Sequence, residues 1–172
     1  MKSCENLTLL SNPLYGQDMN AQRLETSRLF HRFGFGPRPG EYAQAIKDGV
    51  ASTRTKILTV PAVDAGTAKV VVPNITNLGP RPAANSKEVV PFAIEMRYQV
   101  QQMTLWWLDR MALSDHGLTE RMTWFWHGHW ATSVQKLNYA MPMFNQNNTL
   151  RANCLGNFKV MSRAMINDGA LQ

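Results

Sequence analysis

A chain of 172 residues, 44% apolar, 17% charged and 9% aromatic, is long enough to bury roughly two-thirds of its unfolded surface without disulfide or metal staples. That apolar fraction excludes disorder as a description of the whole chain, and no run approaches the roughly 18 apolar residues a membrane-spanning helix needs. The formal charge of +6 is spread along the chain with no basic run of five; with no basic stripe and no recognisable module, nucleic acid is not an expected partner.

The first nineteen residues, 1–19, read as a loose lead-in with turn signals at Asn12-Pro13 and Tyr15-Gly16. Leu7 to Leu10 is too short for the apolar core of an export signal. Residues 20–172 read as one helical domain. A helix is expected from about Asn20, with Leu24, Leu29, Phe30 and Phe33 on a partial apolar face and Gly34 as its stop. The rigid turn Gly34-Phe35-Gly36-Pro37-Arg38-Pro39-Gly40 leads to a second helix with Tyr42, Ala45 and Ile46 inward, and Val50 to Leu58 forms a short third one.

Residues 59–86 are broken by Pro61, Pro73, Pro80 and Pro82 and read as a long surface loop with at most one short strand at Val70-Val71-Val72. A loop of this length is uncommon in a compact domain and is either mobile or functional. Ser86 is the expected N-cap of a long helix ending near Leu113, with Pro91 in its first turns. On it, Glu95, Gln99, Gln102 and Asp109 form a polar stripe. Met96, Val100, Met103, Trp107 and Met111 share one apolar flank, and Ile94, Leu105 and Leu108 the other. Such a helix is expected to be central and packed on two sides.

After the turn Ser114-Asp115-His116-Gly117, a helix is expected to bury Leu118, Met122, Phe125, Trp126 and His129 and to end at Thr132-Ser133. Pro142 suits the first turn of the next helix, which puts Met143, Asn147, Leu150 and Cys154 on one stripe. Gly156 breaks it, Asn157 caps a last helix, and Phe158, Met161 and Met165 point inward. The sum is an all-α fold: an irregular multi-helix bundle around a long central helix, with a long Pro-rich loop.

All five tryptophans lie between Trp106 and Trp130, and Trp124-Phe125-Trp126-His127-Gly128-His129-Trp130 is the most unusual stretch. Such a block fills a core or lines a pocket. His127 and His129 are the candidate ligands for a divalent metal, but residues i and i+2 of a helix point about 200° apart. His129 is expected inward and the more buried, His127 outward. A shared ion needs an extended or broken segment, and a third ligand from His31, Asp109, Asp115 or Glu120. Arg97, Gln101, Asn147 and Arg151 also fall on or beside apolar faces. Buried, they need partners. They either tie helices together through hydrogen bonds or form, with the two histidines, a polar pocket for an anionic or carbonyl-bearing ligand. The two cysteines, Cys4 and Cys154, form no Cys-x-x-Cys pair.

Several segments resemble, in order, the signature of a bacterial family, domain of unknown function 1800. They are His31-Arg32-Phe33-Gly34-Phe35-Gly36-Pro37, Leu105 to Met111, Glu120-Arg121-Met122 with Phe125 to Ser133, Gln146-Asn147 with Leu150-Arg151, Leu155 to Phe158, and Asn167 to Ala170. The resemblance runs from about Arg28 to the end, with a variable insert at 59–86. It implies a mainly helical fold, no agreed activity, and relatives that are longer and often carry export signals. On that comparison the chain is the N-terminal portion of a longer domain. The apolar faces carrying Met143, Leu150, Met161 and Met165 are then expected to need cover, from the missing C-terminal part or from a protein partner. Two functional classes stand: an enzyme, metal-assisted or not, with its pocket at His127, His129, Asn147 and Arg151, and a non-catalytic binding or assembly module.

Overall fold

The structure, a computed structural model, describes residues 13–172, with side chains from Met19 onward. Cys4, the Leu7 to Leu10 run and the first part of the expected lead-in lie outside the described residues. Among those described there are eight α-helices, one 3-10 turn and no strand. They fall into two compact units that meet in sequence at Val60 and Pro61.

The first unit holds α1 (Pro13–Phe33), α2 (Glu41–Asp48) and α3 (Val50–Leu58). Helix α1 begins at Pro13 rather than Asn20: a proline is well placed at the first helical position, where its missing N–H costs nothing. Thr26 and Phe30 of α1, Ala45 of α2 and Thr53 of α3 are buried, whereas Leu24 is exposed. Two side-chain bonds tie α2 to α1. Gln22 Nε2 donates to the Ile46 carbonyl at 2.8 Å and Tyr42 Oη to the Arg23 carbonyl at 2.9 Å. Gly40 enters α2 at a φ of +81°, a backbone region that favours glycine. The Glu41 carboxylate accepts from the Arg38 N–H at 2.8 Å and closes the turn.

The second unit begins with the Pro-rich segment, which contains only the 3-10 turn Thr67–Lys69. No strand forms at Val70-Val71-Val72. The segment is held at two points rather than left loose. At the first, the Asp64 carboxylate accepts from the N–H groups of Thr67, Asp115 and His116 at 2.9, 3.0 and 2.7 Å and from Ser114 Oγ at 2.9 Å. Burial pushes the Asp64 carboxyl up, but these four donors outweigh it and hold the pKa at about 2. Gly66 lies so close that a Cβ there would sit 1.8 Å from the Leu113 carbonyl oxygen. At the second point, Gln99 Oε1 accepts from the Thr76 N–H at 3.2 Å, and Gln99 Nε2 donates to Thr76 Oγ1 at 2.8 Å and to Glu95 Oε1 at 2.9 Å. Gln99, on the polar stripe of the helix, is therefore buried.

Helix α4 (Val89–Leu113) is the longest. Ser86 precedes it by a turn, its hydroxyl accepting from the Glu88 N–H at 3.1 Å. It packs on the 3-10 turn, on α5 (Leu118–Trp130) and on α7 (Ala140–Asn153). The expected packing on two sides is not seen: Ile94, Leu105 and Leu108 are exposed. A short α6 (Val134–Leu137), absent from the sequence reading, bridges α5 and α7, and α8 (Phe158–Ile166) follows. As expected, Asn157 caps α8, its side chain accepting from the Lys159 N–H at 2.9 Å.

The core of this unit is Leu150, Met161 and Met165, with Trp126 and Trp130 packed against it. Leu150, Met161, Met165 and Met143 are thus covered within the unit, contrary to the expectation that their faces lie open. Full burial of each is worth about 1.5–3 kcal/mol. Buried Gln146 reaches from α7 to the end of the chain, its Nε2 donating to Asp168 Oδ1 at 2.9 Å while its Oε1 accepts from Thr132 Oγ1.

Candidate functional site

Helix α5 carries two contrasting faces. Sequence pattern places Leu118, Met122, Phe125, Trp126 and His129 inward; Leu118 is buried and Trp126 packs on the core, but Phe125 and His129 are exposed, and the buried arc shifts to Glu120 and Thr123, with His127 and Trp130 half-buried beside them. The helix is rotated by roughly a third of a turn from the hydrophobic expectation. The reason is electrostatic: Glu120 is buried because two guanidiniums meet it. Arg110 Nε donates to Glu120 Oε1 at 2.9 Å; Arg151 is bidentate, with Nε to Oε1 at 2.7 Å and Nη2 to Oε2 at 2.9 Å. Arg151 also donates to Asn147 Oδ1 and to Asn148 Oδ1. Both guanidiniums lie over the Trp106 ring, at 5.5 and 5.1 Å from its centroid, a geometry that adds cation–π attraction.

This cluster brings together two of the expected site residues, Asn147 and Arg151. Arg97 and Gln101 do not join it; both are exposed on α4. Glu120, Arg110 and Trp106 take their place. The available signal was charged residues embedded in apolar motifs, Asp109-Arg110 and Glu120-Arg121, which periodicity alone assigns to solvent.

The two histidines also reverse their expected roles. His127 is half-buried, its ring 5.1 Å from that of Trp107 at an 83° angle, and burial lowers its pKa. His129 is exposed. They face different neighbours, as i and i+2 on a continuous helix must. The third-ligand candidates do not join them: His31 is exposed in the first unit, Asp109 and Asp115 are exposed, and Glu120 is engaged by the arginines. Among the described residues no three His, Cys, Asp or Glu side chains are grouped to hold a metal ion. Cys154 is a free, buried thiol within reach of the Thr119 and Arg151 carbonyls, and burial pushes its pKa up. A thiol so held is a poor nucleophile.

The other face of α5 is aromatic and open. Phe125 packs edge-on to Trp126 at 5.0 Å, and Trp126 stacks on Phe158 of α8 at 5.5 Å. His129 contacts Phe125, Trp126 and Trp130 at 6.4, 5.3 and 5.7 Å. Phe125 and Phe158 are more than half exposed, although both were expected inward. Trp126 is anchored from beneath, its Nε1 donating to the Cys154 carbonyl at 3.1 Å.

A family model described as a protein of unknown function (DUF1800) matches residues 28–172. The chain belongs to the DUF1800 family. The matched region takes in the C-terminal end of α1, the whole Pro-rich segment and both faces of α5. No curated protein and no solved structure matches this DUF1800 chain. No helix among the described residues is long and apolar enough to cross a membrane.

Proposed function

We propose that this DUF1800 chain is a non-catalytic binding or assembly module, and that the aromatic surface of α5 and α8 engages an apolar patch on a protein partner. The observation that carries this reading is the connected row Phe125, Trp126, Phe158 and His129, with both phenylalanines more than half exposed. Aromatic residues held rigidly at a surface, with little rotamer entropy left to lose, are the usual anchors of protein interfaces. The polar groups a catalyst would use are committed elsewhere. The Glu120 carboxylate is occupied by two arginines, and the Cys154 thiol is buried. This favours binding over the enzyme reading.

The test is photo-crosslinking. A benzophenone amino acid at position 158, introduced in the cell that makes the protein, should give one discrete adduct. The same probe at exposed Asn145 should not, and Phe125→Asp should abolish the product. The captured partner, purified, should bind the wild-type chain at least about tenfold more tightly than the Phe125→Asp, Phe158→Asp double variant, the 1.4 kcal/mol expected of a modest hot spot. Equal labelling from positions 158 and 145 would remove the proposed surface.

A further inference from the structure

Helix α4 has a second open face, well removed in sequence from the aromatic row. Val90, Ile94, Tyr98, Leu105 and Leu108 are between 47% and 66% exposed. At 100° per residue all five, with Gln101, fall on an arc of about 80°. The stripe runs about 27 Å at 1.5 Å per residue. It has the width and length of a helix-pairing seam, not of scattered surface residues. It comprises the flank Ile94, Leu105 and Leu108, which the sequence reading assigned to the interior, extended by Val90 and Tyr98.

We propose that this stripe pairs antiparallel with the same stripe of a second copy of the chain, about a two-fold axis at Gln101. The inference rests on reading the protein as an assembly module rather than an enzyme. Three observations favour a second copy as the occupant. First, the stripe is self-complementary about Gln101. Ile94 and Leu108 each lie seven residues from it, and Val90 and Ala112 eleven, all within about 20° of its direction on the helix. Reversal therefore sets Ile94 against Leu108 and Val90 against the smaller Ala112. An isologous interface requires such matching of a patch with its own reverse.

Second, Gln101 is the single polar residue at the middle of the stripe, and the axis brings it to its own copy. An amide carries donor and acceptor, so two glutamines satisfy each other, and a lone central polar residue fixes register in paired helices. Arg97 decides the direction. A parallel pair would put Arg97 beside Arg97, a like-charge contact; the antiparallel pair sets the aliphatic stem of Arg97 over Leu105 with its charge in water.

Third, the area suffices. Five such half-exposed side chains present roughly 500 Å², near the upper end of the largest apolar patch on a typical monomer. With Gln101 at the centre and Arg97 and Thr104 at the rim, the face approaches the roughly 800 Å² per partner of a standard interface.

The experiment is sedimentation of the full chain from about 1 to 100 μM, the range in which an interface of this size and ordinary quality dissociates. A concentration-dependent dimer is expected. Leu105→Glu and Leu108→Glu, both at exposed sites, should each raise the dimer Kd at least about tenfold with unchanged far-UV circular dichroism. In a Cys4→Ser background, Gln101→Cys should form a disulfide-linked dimer under mild oxidation, and Val90→Cys should not. A monomer throughout the range, a dimer indifferent to both charge substitutions, or faster self-crosslinking at position 90 than at 101 would each overturn the proposal. The two readings fail separately. Loss of the α4 dimer with the position-158 adduct intact removes only this inference, and the converse removes only the aromatic docking surface.

Discussion

At the scale of single residues, His127 and Glu120 show burial acting on charge in opposite ways. Burial lowers the His127 pKa from 6.5, so the unfolded chain takes up a proton at a higher pH than the folded one. Stability is full above the unfolded value and falls as the pH drops from about 6.5 towards the folded pKa. In urea titrations between pH 7.5 and 5, His127→Gln should flatten this acid-side slope; parallel slopes for variant and wild type would remove His127 as its source. Glu120 is 1% exposed and compensated by Arg110 and Arg151. Removing one partner of a buried ionic group leaves the others uncompensated, at a cost of about 3–5 kcal/mol. Glu120→Gln should lie at the low end of that range because its amide still accepts one bond, and Glu120→Ala at the high end. Chemical denaturation measures both, and a change under about 1 kcal/mol would show that solvent already screens the cluster.

The Pro-rich segment is the instructive element. Proline spacing marks 59–86 as irregular, yet the segment is strapped to the α4–α5 turn by Asp64 and to α4 by Thr76 and Gln99. Gly66→Ala should release the first strap point, since a Cβ 1.8 Å from the Leu113 carbonyl forces the backbones apart. Losing several bonded groups there should cost about 2 kcal/mol. Hydrogen exchange of the Thr67, Asp115 and His116 amides should rise, while amides of α7 and α8 stay protected. Asp64 also sets an acid limit. Its folded pKa of about 2 lies below the ordinary aspartate value of 3.8, so its contribution is present above 3.8 and is lost as the pH falls towards 2. Asp64→Asn should remove that part of the acid transition; an unchanged acid limb would place its origin elsewhere.

For the whole molecule, the notable feature is where apolar surface remains. The core of Leu150, Met161 and Met165 is closed, while Phe125 and Phe158 on one side and Ile94, Leu105 and Leu108 on another stay open. Two separate patches should act independently, because distant sites without shared partners are additive. Binding of a hydrophobic fluorescent dye should fall in Phe158→Asp and in Leu105→Glu, and by the sum of the two in the double variant. A double variant no lower than either single one would mean that the patches are one surface.

Local chemistry was readable from sequence. Proline and glycine spacing, the Asn157 cap and the position of Pro142 set which segments are helical and where most of them end, because these are properties of neighbouring residues. The helical character of the fold follows from that; the family came from the resemblance of its ordered motifs. The buried face followed on α7, where Met143, Asn147, Leu150 and Cys154 are all buried, but not on α4 and α5. Periodicity ranks faces by hydrophobicity, whereas α5 is turned inward by a carboxylate that finds two arginines, one 10 residues before it and one 31 after. Gln99 was likewise drawn inside by Thr76, 23 residues away. Phe125, Phe158 and the α4 stripe were left outside as a consequence. The period of a helix is local, but the partner that makes burying a polar group affordable is not, so only the tertiary structure could decide which apolar faces this protein keeps for itself and which it presents.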